Sequence, residues 1–115
     1  MKYVSPLPVD ELRAALQEDD ADEVIDQVAS YLDTAPVVVR GAGTFDHPSL
    51  NGPQPIGQAS DGAWVWPVVL SNLLRAGVVG PEIDFVRHAL AAGSPPTSLE
   101  GDVLEEAILV AQRGS

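Results

Sequence analysis

Cysteine is absent from this 115-residue chain. That excludes a disulfide framework, thiolate metal sites and cysteine nucleophiles, and it fits a reducing compartment. Positive charge is scarce: 6 Lys and Arg stand against 17 Asp and Glu, a formal net charge of −11. Such a surface repels nucleic acid and anionic lipid, and it draws a basic protein in from a distance. Long apolar runs are missing too. The longest nearly apolar stretch, Ala63 to Leu70, is far too short to span a bilayer, and Met1 to Pro8 lack the basic-then-apolar pattern of a secretory leader. The expected location is the cytoplasm, with no membrane contact. Aromatic residues are few, two each of Trp, Tyr and Phe, so a core has to use them. With 45% hydrophobic residues the chain is too apolar for a disordered acidic tail, and it reads as a single domain over 1–115 with a frayed end at 113–115.

The apolar spacing predicts an α+β fold: a small antiparallel sheet of about three strands packed with four to five helices. Asp10 and Glu11 favour the first turn of a helix over Val9 to Gln17. Asp20 precedes Glu23 by three residues in a capping-box-like arrangement, and Val24, Ile25, Val28 and Leu32 give a helix from Ala21 to Asp33 one buried side. Val37-Val38-Val39 reads as a buried strand, followed by a proline-rich loop from Thr44 to Pro55. Ile56 to Ser60 and Ala63 to Trp66 flank Asp61-Gly62, a strong hairpin signal. Three helical segments follow, the first two opened by Pro67 and Pro81 and the last preceded by the capping box Thr97-Ser98-Leu99-Glu100 and weakened at Gly101.

The densest charge lies on the helix over 21–33. At helical spacing Asp22, Asp26 and Asp33 fall within about 40° of one another, opposite Val24, Val28 and Leu32. Like charges four residues apart cost about 0.2–0.5 kcal/mol, and no Lys or Arg between positions 14 and 39 offsets them locally. The plain account is a solvated face whose first carboxylates favour the helix dipole. The functional account is a docking face for a cationic protein. A calcium loop does not fit, because Val24 and Ile25 stand where a ligand and a glycine are needed.

In Ser60-Asp61-Gly62-Ala63-Trp64-Val65-Trp66-Pro67, strand geometry sends Trp64 and Trp66 to one face and Val65 to the other. Both indoles suit a core, and a partly exposed Trp64 would suit an interface anchor. This string, continued by Gly-Pro-Glu-Ile-Asp-Phe-Val, resembles a recurrent S/T-D-G-x-W-x-W-P pattern of small acidic bacterial proteins, some of which look like immunity proteins of polymorphic toxin systems. The likeness spans roughly residues 56 to 86. It implies a shared hairpin-to-helix fold element rather than a shared target, with structural roles for Asp61, Gly62, Trp64, Trp66, Pro67 and Phe85.

Catalytic patterns are thin. Asp46-His47-Pro48-Ser49 are sequence neighbours, which rarely form a triad, and His88 beside Arg87 lacks metal-ligand company. Gly41-Ala42-Gly43 is neither a dinucleotide fingerprint nor a P-loop, and Arg40 is expected to pair with an acidic residue. The expectation is a non-enzymatic, cofactor-free and metal-free immunity or antitoxin-like protein that occludes a basic toxin domain of nuclease or deaminase type. Its partner-binding residues would be Asp19, Asp22, Asp26 and Asp33, with Trp64 as the apolar anchor. The alternatives are a regulatory or scaffold subunit using exposed apolar surface and, behind it, a small hydrolase using His47.

Overall fold

The computed structural model describes residues 1–16 and 21–114. Its elements run β1 (Lys2–Tyr3), β2 (Pro6–Pro8), α1 (Val9–Leu16), α2 (Ala21–Thr34), β3 (Val37–Phe45), β4 (Gln54–Ser60), β5 (Trp64–Pro67), α3 (Leu70–Arg75), β6 (Val79–Pro81), α4 (Ile83–Ala92) and α5 (Gly101–Gly114). The class is α+β, as the sequence predicts, and no described helix is long and apolar enough to cross a membrane. The sheet is larger than expected and mixed. Its order is β1-β5-β4-β3, with β1 parallel to β5 and the other pairs antiparallel, and β2 pairs with β6 in a second ribbon.

The alternation in β5 sets the layers. Trp64 and Trp66 face a core built with α1, α2 and α4, where they meet Leu12, Val28 and Phe85. Val65 points the other way, onto Ala107, Val110 and Ala111 of α5. One four-residue strand therefore binds helices on both sides of the sheet, and each of its first three side chains is buried. Burying such a side chain favours folding by roughly 1.5–3 kcal/mol.

Several expectations need correction. Val37 to Val39 do not form a buried strand: β3 is the edge of the sheet, with Val37 exposed and Val38 and Val39 half-buried. It runs on through Arg40-Gly41-Ala42-Gly43 with breaks in register, so the irregular loop shrinks to 46–53. The hairpin at Asp61-Gly62 has three connecting residues rather than two, with Gly62 at a φ of 94°. Gly101, expected to weaken the last helix, begins it, and that helix extends to Gly114, which lies against the Tyr3 ring. The short strands β1, β2 and β6 carry too few residues to show a period of two.

Close approach of β3 and β4 depends on Gly57, where an added Cβ would lie 2.7 Å from the Val39 carbonyl oxygen. Backbone cannot swing aside as a side chain does. Gly57→Ala is expected to destabilise the protein by about 1–3 kcal/mol in urea unfolding, whereas a change at the open Gly52 costs only its positive-φ strain.

Candidate functional site

The organised polar centre of the molecule is the carboxylate of Asp61, whose side chain is only 1% exposed. Oδ1 accepts from the backbone N–H groups of Ala63 (2.9 Å) and Trp64 (2.8 Å), which closes the hairpin turn. Oδ2 accepts from the Tyr31 hydroxyl at 2.6 Å and lies 2.7 Å from His88 Nε2. An ionised carboxylate only accepts, so Nε2 carries the proton in this bond. The Ser60 hydroxyl braces the turn by donating to the Trp64 carbonyl and accepting from Gly62 N–H. Four donors from α2, the β4–β5 turn and α4 thus converge on one residue.

Burial pushes the Asp61 carboxyl up, but its bonds with Tyr31, Ala63, Trp64 and His88 outweigh burial and hold it below the usual carboxylate range. The Tyr31 phenol is pushed well above its usual range, first by burial and then by its bond to the Asp61 anion and that charge. The surrounding rings are aromatic: Phe85 stands edge-on to Trp64, Trp66 and Tyr31 at centroid separations of 5.7, 5.2 and 5.9 Å.

The same α2 that supplies Tyr31 presents its opposite side to solvent. Asp22, Glu23, Asp26 and Asp33 are all exposed. Asp22 pairs with Arg13 of α1 at 2.6 Å, and Asp33 pairs with Arg75 of α3. The stripe is therefore offset by residues that tertiary packing brings in, contrary to the local expectation. Both pairs sit at the surface, where such contacts contribute about 1 kcal/mol or less. Glu23 and Asp26 have no basic partner among the described residues. They line an open depression of about 480 Å³ together with Gln27, Tyr31 and Ser94. Asp19 lies outside the described residues, as does Asp20 of the expected cap.

Trp64 is corrected outright. It is 8% exposed, with its ring against Phe85 and the Lys2 ammonium 5.7 Å from its centroid, so it is a core residue and offers no anchor. His47 forms no triad: its Nδ1 accepts the Ser49 N–H at 3.0 Å within the loop. Arg40 makes no ion pair among the described residues, against expectation. Among those residues no group of three or more His, Asp and Glu converges to hold a metal. No family model matches this chain, and no curated protein or solved structure does.

Sequence reasoning missed Tyr31 and His88 as partners of Asp61. A signal existed for His88, since its spacing of three from Phe85 places both on one helix face. Removing the carboxylate strands a buried hydroxyl and two backbone donors, so Asp61→Ala should cost about 3–5 kcal/mol in urea unfolding, and Tyr31→Phe about 1.5–3 kcal/mol. Because the folded carboxyl titrates below its unfolded value of about 3.9, its contribution is complete above that value and fades as pH falls through the folded one. The stability gap between the wild type and Asp61→Asn should narrow on acidification below about pH 4. A gap that widens instead reverses the assigned sign.

Proposed function

We propose that the chain is a non-enzymatic, cytoplasmic binding protein of the immunity or antitoxin kind, whose α2 face docks on a basic toxin domain and covers it. The observation that carries this reading is the division of α2. One side, Val24, Ile25, Val28, Tyr31 and Leu32, is buried, while the other carries Asp22, Glu23, Asp26 and Asp33 in water. A rigidly seated row of carboxylates on a chain of net charge −11 favours fast encounter with a cationic surface and suits mimicry of the phosphates such a toxin binds. Arg13 and Arg75 are weakly held at the surface, so arginines or lysines of a partner can compete for Asp22 and Asp33. The S/T-D-G-x-W-x-W-P likeness supports the reading only through the company such modules keep.

A scaffold role has its own support in the apolar side chains exposed on α5, Val103 and Leu109. The two readings predict different losses. In co-expression with a cognate basic toxin domain, the wild type should restore growth and Asp22→Asn/Asp26→Asn/Asp33→Asn should not. Association should slow as salt is raised from about 50 to 200 mM, because steering between exposed charges is screened. Val103→Ser/Leu109→Ser should leave protection intact. Protection that survives the triple neutralisation, or is lost with the α5 pair, transfers the contact to the apolar surface.

A further inference from the structure

A second concavity lies between the C-terminal end of α2, the β3–β4 ribbon and α3, with a volume of about 410 Å³. Its lining is mixed: Leu32, Val37, Ile56 and Val68 give it apolar surface beside Asp33, Arg40, Thr44, Ser71 and Asn72, and Val37 and Ile56 are among the large hydrophobic side chains left exposed. Its volume falls within the range of small-molecule pockets. At Gly41 an added Cβ would fall 2.2 Å from Ile56 Cγ2, so the absence of a side chain there lets Ile56 lie directly on the strand.

Among the described residues three polar side chains of this groove, the exposed Arg40 and Thr44 and the buried Ser71, make no side-chain hydrogen bond or ion pair. Asp33, on the rim, is engaged by Arg75, and Asn72 donates to Gln54 at 2.9 Å. Arg40 is unpaired among the described residues. Ser71 is 3% exposed, and its hydroxyl has no hydrogen-bond partner among those residues. Among the described residues no fully sealed side-chain nitrogen or oxygen lacks a partner, and Ser71 lines the groove. A buried hydroxyl is costly unless something bonds to it.

We infer that the groove is a ligand site for a small carboxylic acid with an apolar body, the Arg40 guanidinium supplying the counter-charge and the Ser71 hydroxyl a donor. One uncompensated cation fits one negative charge. A phosphate dianion would leave a surplus negative charge beside Asp33 on a chain already at −11. The groove shares Asp33 with the α2 face but not Asp22 or Asp26, so neutralising those two separates the groove from docking on that face.

The test is a titration of the full chain with hexanoate, followed by ¹H–¹⁵N NMR, with hexanamide as the uncharged control. Saturable shifts are expected at Gly41, Gly43, Ser71 and Asn72. Arg40→Gln should weaken hexanoate binding by about tenfold, the loss of one charge-assisted contact, and Ser71→Ala should weaken it less. Asp22→Asn/Asp26→Asn should leave it unchanged. Arg40 is exposed, so its replacement should leave the spectrum of the free protein otherwise intact. Absence of saturable shifts, equal binding of hexanamide, or an unchanged affinity in Arg40→Gln overturns the proposal. Preference for a tripeptide with a free C-terminus over hexanoate also overturns it, by assigning the groove to the end of a partner chain.

Discussion

A buried negative charge is tolerable only when donors surround it, and the seating of the β4–β5 hairpin, α2 and α4 follows from how Asp61 meets that requirement. Two of its donors are backbone groups of its own turn, which fixes the hairpin. The other two come from α2 and α4, which fixes those helices against the sheet. Apolar packing supplies most of the driving force but has little directional preference. The hydrogen bonds to Asp61 add direction, setting which face of α2 turns inward.

That orientation links fold to function. With Tyr31 drawn inward to Asp61, the residues roughly half a turn away, Asp22, Asp26 and Asp33, are committed to solvent. Their mutual repulsion is moderated by Arg13 and Arg75, which come from helices on either side of α2 in the chain. The result is an acidic face held in place by internal bonds and only loosely neutralised from outside. Such an arrangement favours recognition of a cationic surface, since little reorganisation is needed before contact.

Patterns that depend on nearest neighbours along the chain were readable. The period of α2, the Asp61-Gly62 turn and the opposed faces of Trp64, Val65 and Trp66 all follow from spacing, and all appear in the fold. What spacing misses is convergence. His88 lies 27 residues from Asp61 and Tyr31 lies 30 away, so nothing local announces that they share one carboxylate. Arg75 reaches Asp33 across 42 residues, which is why the acidic stripe looks unneutralised in sequence. Val37 to Val39 have the composition of a buried strand, yet their position in the strand order makes them an edge, and strand order is a tertiary property. The pattern around Trp64 favours the core over an interface anchor, and the ring of Phe85 places it there.

The central claim is that Asp61 and Tyr31 act as one unit in seating α2. A double-mutant cycle with Asp61→Asn and Tyr31→Phe, read by urea unfolding, measures that coupling directly. The account predicts an interaction energy of about 1 kcal/mol or more, as expected for groups sharing a buried hydrogen bond. Losses that simply add, to within about 0.5 kcal/mol, would contradict it.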